Sequence, residues 1–138
     1  MKTGSGQLAH TTNVTIKIPA VVYDNSCVGE PIGLHGSLHL VLTIGTDQAG
    51  GFHLGSHLNA SYAGTGLESG LPYRASDTKE DVWNTRELPD SHTTTMVTRL
   101  ISQDGVDNAF LFTTFVITVD AEGVPTATVS DQRVECRG

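Results

Sequence analysis

The sequence has no apolar run long enough to span a membrane and no apolar signal region within residues 1–10. The first absence predicts a soluble protein without a membrane partner, and the second favours a cytoplasmic one. A secreted protein is the alternative, if the chain is a mature form. Residues 1–10 are mostly small and polar, and they are predicted to form a flexible lead-in to a single domain over residues 11–138.

Basic residues are also scarce, since 8 Lys and Arg stand against 15 Asp and Glu and the formal net charge is −7. The basic residues are scattered along the chain, whereas nucleic-acid binding draws on clustered Lys and Arg. The composition therefore argues against a nucleic-acid partner.

No segment shows the 3.6-residue period of an amphipathic helix, whereas several segments alternate between apolar and polar residues. Val14, Ile16 and Ile18 alternate with polar residues in a first strand that is expected to end at Pro19, and residues 91–102 alternate in the same way. Such alternation is typical of half-buried strands. We predict an all-β fold, a single antiparallel up-and-down β-barrel of about eight strands with an apolar interior. The interior of such a barrel is either filled by side chains or just wide enough for one small ligand.

The longest alternating stretch runs from Ile32 to Ser61 and is predicted to form a hairpin around residues 45–50. With its apolar residues on one face, Leu42 is expected opposite Phe52 and Leu40 opposite Leu54. The segment from Asp81 to Leu88 is ambiguous, because Val82-Trp83 could begin a short strand or a helical turn.

Aromatic residues make up only 6% of the chain, and together with nearby apolar residues they define a candidate ligand cavity. The alternative is that these side chains are simply core. The candidates for binding a hydrophobic small molecule are Leu40, Phe52, Leu54, Tyr62, Tyr73, Trp83, Met96, Thr98, Phe110 and Phe112. An outward orientation of Phe115 and Ile117 would instead mark a face for a possible homodimer.

Only two cysteines occur, Cys27 and Cys136, so the choice is between free thiols and one bridge. A Cys27–Cys136 disulfide is favoured, because it would tie the C-terminal strand to the start of the hairpin. Closing so long a loop is worth about 4 kcal/mol in the chain-entropy model. A bridge would suggest an oxidising compartment, in conflict with the missing signal region.

Four histidines fall on the polar face of the predicted hairpin: His35, His39, His53 and His57. Clustered imidazoles could bind a metal, but no carboxylate lies among them to complete or orient a ligand set. We expect that these histidines instead form a solvated polar face. We therefore expect neither a metal nor a cofactor.

Residues for acid–base or nucleophilic catalysis have little support in the sequence. Ser56 is flanked by Gly55 and His57 but does not lie in a Gly-x-Ser-x-Gly nucleophile elbow, and it is expected to be buried with its hydroxyl bonded to backbone. Glu68 or Asp77 at the mouth of the barrel could act as a general acid or base. The ordinary explanation for these carboxylates, and for Glu80, Asp81 and Glu87, is a solvated acidic rim.

A set of short motifs resembles a group of small actinobacterial β-barrel proteins, mostly secreted and without assigned function. The motifs cover nearly the whole domain from about residue 13 onward. They are Asn25-Ser26-Cys27-x-Gly29-Glu30, Leu34-x-Gly36-x-x-His39, Gly50-Gly51-Phe52-His53-x-x-x-His57-x-Asn59, Asp107-Asn108, Val116-x-Thr118-Val119-x-Ala121-x-Gly123-Val124 and Glu135-Cys136-Arg137.

Without a signal region, the chain is similar to an intracellular branch that includes the cyclases of tetronasin-type polyether biosynthesis. The resemblance implies a cofactor-independent cyclase or isomerase that promotes a 4+2 cycloaddition or ring rearrangement of a linear polyene tetronate. It identifies no catalytic residue.

A ring closure of this kind needs mainly a folded substrate, and positioning alone can supply about 7–11 kcal/mol. Donors such as Tyr62, Tyr73, Trp83 or Thr98 could polarise a carbonyl. The alternative functions are a non-catalytic, lipocalin-like carrier of a hydrophobic small molecule and a metal-dependent enzyme using the histidine face.

Overall fold

A computed structural model describes residues 10–25, 30–102 and 109–136. These residues form eight strands, which confirms the all-β prediction: β1 (His10–Asn25), β2 (Glu30–Thr46), β3 (Phe52–Gly66), β4 (Pro72–Thr85), β5 (Asp90–Arg99), β6 (Ile101–Ser102), β7 (Ala109–Val119) and β8 (Pro125–Cys136). Among them, no helix is long and apolar enough to cross a membrane. Residues 1–9 of the predicted lead-in lie outside the described residues, and His10 already belongs to β1.

The strands pair antiparallel in two sheets. One sheet has the order β1-β2-β3-β4-β6, and the other has the order β5-β7-β8. Only Leu100 separates β5 from β6, so the chain passes directly from one sheet to the other at this residue. β1 also lies alongside β8, and β4 lies alongside β5. The two sheets therefore approach each other along both of their edges.

Strand β1 does not end at Pro19, as the sequence analysis expects, but continues to Asn25. The register of β1 against β2 shifts between Ile18 and Val21, which is a bulge at Pro19. A proline is tolerated at a bulge because the ladder hydrogen bond that it cannot donate is already interrupted there. The break at Pro19 is thus local.

The hairpin of β2 and β3 has the predicted faces but a different register. Leu40 lies opposite Leu58 and Leu42 opposite Ser56, so the predicted pairs are wrong by four residues. An even shift keeps every side chain on its face, so hydrophobic alternation cannot detect it. The tight turn over residues 47–51 decides the register, because the Asp47 side chain accepts hydrogen bonds from Ala49 N at 2.9 Å and Gly51 N at 2.8 Å.

The inward faces of both sheets form one apolar core. The alternation through β5 is as predicted, with Thr94, Met96 and Thr98 buried, and Leu100 directly after the strand is buried too. Phe115 and Ile117 are fully buried in this core, so they do not form the outward homodimer face that the sequence allows. The segment around Val82-Trp83 is the end of the long strand β4 rather than a helical turn.

A buried carboxylate, Glu30, holds the turn between β3 and β4. It accepts hydrogen bonds from Ser69 N at 2.8 Å, Ser69 Oγ at 2.7 Å, Glu68 N at 3.1 Å and the Tyr73 hydroxyl at 3.1 Å. Gly66 makes room for it, because a side chain there would collide with the Glu30 carboxylate. The bonds from Ser69, together with those from Glu68 and Tyr73, lower the pKa of Glu30.

The predicted disulfide involves Cys27, which lies outside the described residues. Cys136 is the last residue of β8. The pairing stays a prediction.

We expect Glu30→Gln to lower the midpoint of thermal unfolding by several degrees at neutral pH, because an amide cannot accept this set of bonds with both atoms. Since the fold lowers the pKa of Glu30 from its ordinary value of 4.5, the contribution is present above that value and is lost on acidification. The difference between wild type and variant should shrink as the pH is lowered below 4.5. Glu68→Gln, which changes an exposed carboxylate of the same turn, is the control. A penalty that stays constant with pH would contradict this role.

Candidate functional site

Most of the predicted cavity residues lie in the core and have almost no accessible surface. Leu40 and Leu54 are 0% exposed and Met96 is 1% exposed. A side chain that lined a lumen able to admit a ligand would keep accessible surface towards that lumen. These residues therefore pack against one another, and the core around them has no room for a ligand.

The polar members of the predicted set are also buried. The Tyr62 hydroxyl donates to Thr113 Oγ1 at 2.7 Å, and the Tyr73 hydroxyl donates to Glu30. Burial raises the pKa of Tyr62, which keeps it a neutral donor. Thr98 Oγ1 is buried and makes no hydrogen bond with the described protein groups. The interior hydroxyls thus serve the packing of the core.

Phe110 and Phe112 lie on the opposite face of β7 from its inward row, which includes Leu111 and Phe115. The Arg133 guanidinium covers the Phe112 ring at 4.5 Å from its centroid. Neither residue joins the other candidates in the core. The sequence allowed this outcome, because apolar residues occupy both faces of β7.

Ser56 is buried, as predicted, but its Oγ has no hydrogen-bond partner among the described protein groups, so the predicted bond to backbone is wrong. Glu68 and Asp77 are exposed, and neither approaches a histidine. The residue opposite Ser56 across the β3–β4 ladder is Asp81, which the sequence analysis assigned to a solvated rim.

The four hairpin histidines are exposed on the outer face of the first sheet. His39 lies opposite Asn59 and is therefore diagonal to His57, whereas His35 lies opposite Ala63 and His53 opposite Gly45, away from the other histidines. His57 Nδ1 lies 3.2 Å from the exposed Glu80 carboxylate. The described residues contain no group of three or more His, Cys, Asp or Glu that could hold a metal ion.

A different cluster lies where β4 runs alongside β5. Within the described chain no backbone ladder joins these two strands, and the inward side chains of each strand bridge the gap. Lys79 Nζ donates to Thr94 Oγ1 at 2.7 Å and to the backbone carbonyl of Thr95 at 3.0 Å. We call this line of side-chain contacts the seam.

Further along the seam, an Asp–His pair lies against the single tryptophan of the chain. His92 Nε2 lies 3.2 Å from Asp81 Oδ2. The His92 ring stacks on Trp83 with 4.2 Å between ring centroids and 7° between planes. Trp83 Nε1 in turn donates to Asp90 Oδ2 at 3.1 Å. Asp81, Trp83, Asp90 and His92 form what we call the seam cluster.

Asp81 is ionised in this environment. Burial opposes its charge, but hydrogen bonds from Thr94 and His92 and the nearby Lys79 ammonium outweigh burial, and the pKa of Asp81 falls below its ordinary value. The side chains of Asp81 and His92 are 18% and 27% exposed, whereas those of Glu80 and His57 are 78% and 45% exposed. The same kind of pair therefore occurs twice, half-buried in the seam and solvated outside.

A pocket of about 760 Å³ adjoins the seam cluster at the end of β4. Asp90 belongs to both, since it lines the pocket and accepts the Trp83 hydrogen bond. The pocket lies between the β2–β3 turn and the β4–β5 connection, and we call it the end pocket. Its lining includes Asp47, Glu87 and Asp90 with a single cation, Arg86, so it favours neutral ligands over anions.

This arrangement can move a proton. A carboxylate that holds one ring nitrogen of a histidine fixes the orientation of the ring and leaves the other nitrogen to take up or release a proton. The Trp83 face shields one side of the His92 ring, so a substrate must approach from another side. The volume of the end pocket falls in the range of small-molecule sites.

The chain matches no protein-family model, no curated protein and no solved structure. Sequence reasoning selected Trp83 but missed Asp81 and His92. The alternation of strand faces could have found them. Asp81 is an even number of residues from Tyr73 and Trp83, so it shares their inward face, and His92 shares the face of Thr94 and Met96 in the same way. A carboxylate and an imidazole on inward faces are unusual enough to mark a site.

The stacked pair gives a direct optical test, because Trp83 is the only tryptophan. We expect His92→Gln to change the intensity and the emission maximum of the indole at neutral pH, because the imidazole ring stacks on Trp83 at 4.2 Å between centroids. His57→Gln should leave the spectrum unchanged. Steady-state fluorescence measures the effect, and identical spectra for wild type and His92→Gln would contradict the stack.

Proposed function

We propose that this protein is a cofactor-independent isomerase or cyclase whose reaction takes place at the seam, next to the end pocket. The observation that carries the proposal is the half-buried Asp81–His92 pair stacked on Trp83. A pair of this kind supports general acid–base catalysis, which typically contributes about 10²–10⁴-fold in rate. The resemblance to polyether cyclases implies a redox-neutral, cofactor-independent rearrangement of an unsaturated substrate, and an acid–base isomerase shares only that broader class.

We further infer that the two sheets wrap around their shared core as a distorted barrel. Support comes from the approach of β1 to β8 and of β4 to β5, and from the direct passage between sheets at Leu100. In this architecture the core is filled by side chains, which is one of the two outcomes expected for about eight strands. The reaction then occurs at the end of the barrel rather than in a lumen.

The proposed mechanism is a proton shuttle within one substrate. His92 removes a proton from a carbon next to a carbonyl group, and the ionised Asp81 stabilises the imidazolium that forms. The imidazolium, whose N–H exchanges with solvent, then gives a proton to another carbon of the substrate, so a double bond shifts or a ring closes without an oxidant or reductant. The end pocket, which shares Asp90 with the seam cluster, holds the remaining, neutral part of the substrate.

The substrate class that fits is a neutral, unsaturated carbonyl compound. The acidic lining of the end pocket disfavours a negatively charged group there, and its volume of about 760 Å³ lies in the range of small-molecule sites. A linear polyene tetronate could place a neutral segment in the pocket while its charged ring stays outside. In this proposal, the reaction implied by the resemblance takes place at the seam cluster and the end pocket.

The second candidate function is a carrier that holds a hydrophobic small molecule without changing it. The observation that favours it is the size of the end pocket, which does not depend on the chemistry of His92. The filled core argues for binding at the end of the barrel here too, unlike the central cavity of a lipocalin.

We expect purified protein to incorporate solvent deuterium into a β,γ-unsaturated ketone, or into a linear polyene tetronate, when either is incubated in D₂O. Proton transfer through His92 exchanges the proton with solvent and moves the double bond, which NMR and mass spectrometry detect. His92→Gln should lower the rate by about 100-fold or more.

The control is His57→Gln, because His57 and Glu80 are also 3.2 Å apart but exposed. It should keep the full rate. A compound that binds, by quenching of Trp83, yet returns unlabelled would establish the carrier instead. Failure of both compounds to bind or react would overturn the site.

A further inference from the structure

A second pocket, of about 500 Å³, lies at the opposite end of β4 on the outer face of the first sheet. Its lining includes Arg74 from β4 and Arg99 from the end of β5. These are two of the chain's 8 Lys and Arg residues, in a protein with a net charge of −7. Ser61, Ser76 and Ile101 also line it. We call it the arginine groove.

The strand register explains why these side chains meet. Ser61 lies opposite Ser76 in the β3–β4 ladder, and Arg74 lies opposite Ile101 in the short β4–β6 ladder. Arg99 and Ile101 are both exposed on either side of the buried Leu100, and both line the pocket. Opposed and diagonal neighbours on one sheet face are within reach of long side chains. The two guanidinium groups thus flank one stretch of surface.

Neither guanidinium has a carboxylate partner in the part of the chain that the structure describes. There, the ion pairs of Lys and Arg belong to Lys79 and Arg133, and Arg133 contacts both Asp131 and Glu135. Two neighbouring cations without a counter-ion repel each other, so an anion bound between them removes an unfavourable interaction. The groove is therefore set up for negative charge.

The lining also selects the kind of anion. A guanidinium donates two parallel hydrogen bonds to a carboxylate, and serine hydroxyls can donate further ones. Ile101 is 53% exposed beside the charged groups and offers an apolar contact. We propose that the arginine groove binds a small organic carboxylate, with its oxygens between Arg74 and Arg99 and its hydrocarbon part on Ile101.

This site is independent of the proposed proton shuttle. Arg74 and Thr85 lie at opposite ends of β4, about 35 Å apart along a strand that rises about 3.3 Å per residue. The end pocket is acidic and the arginine groove is basic, so a single small anion would choose between them by charge. Loss of one activity would leave the other in place.

The test is calorimetric titration of the full chain with octanoate, compared with octyl phosphate, inorganic phosphate and 1-octanol. We expect octanoate to bind more tightly than the other three. Arg74→Gln and Arg99→Gln should each weaken octanoate binding by about tenfold or more, as expected for loss of a charge-assisted contact. Thermal unfolding of each variant checks that the fold is kept.

Lys17→Gln is the matched control, because it removes one exposed positive charge from the same sheet and should leave octanoate affinity unchanged. An equal loss in Lys17→Gln would show that only net charge matters and would overturn the site. Equal or tighter binding of either phosphate would overturn the carboxylate assignment, and equal binding of 1-octanol would overturn the role of the arginines. If wild-type protein does not bind octanoate, that result alone would overturn the proposal.

Discussion

The organising constraint in this molecule is the missing backbone ladder between β4 and β5. Two strands that lie side by side normally satisfy their facing N–H and C=O groups through each other, and here side chains take over part of that task. Lys79 shows this directly, because its ammonium binds the backbone carbonyl of Thr95. Polar residues are therefore required on inward positions of both strands, and this requirement brings Asp81 and His92 together beside Trp83. The candidate site is a consequence of how the two sheets join.

The filled core reinforces this arrangement. Leu40 and Leu54 have no accessible surface, so the interior acts as a rigid support and not as a container. Trp83 lies opposite Leu54 in the β3–β4 ladder and packs against the edge of the core. The position of the indole, and through it that of the His92 ring, is thus fixed from behind by close-packed aliphatic side chains. Chemistry at the surface of such a support gains from positioning without needing a cavity.

Strand faces and the β2–β3 hairpin could be predicted from the sequence, and the register between strands could not. The alternation through Thr94, Met96 and Thr98 gave the correct buried face because burial follows a two-residue period. The same rule cannot detect the register shift that places Leu40 opposite Leu58, because a shift by an even number of residues keeps every side chain on its face. The seam was beyond prediction for a related reason. The contact between Asp81 and His92 depends on two strands lying together without pairing, and no local pattern encodes that.

The two ends of β4 carry opposite charge. Carboxylates lie around the end pocket, and two guanidinium groups without a carboxylate partner among the described residues lie around the arginine groove at the start of the same strand. At long range the net charge of −7 repels an approaching anion. Close to the surface, within a Debye length of about 10 Å at 0.1 M salt, the local charges favour an anion at the groove over one at the end pocket. The fold thereby separates where charged and neutral compounds first meet the protein.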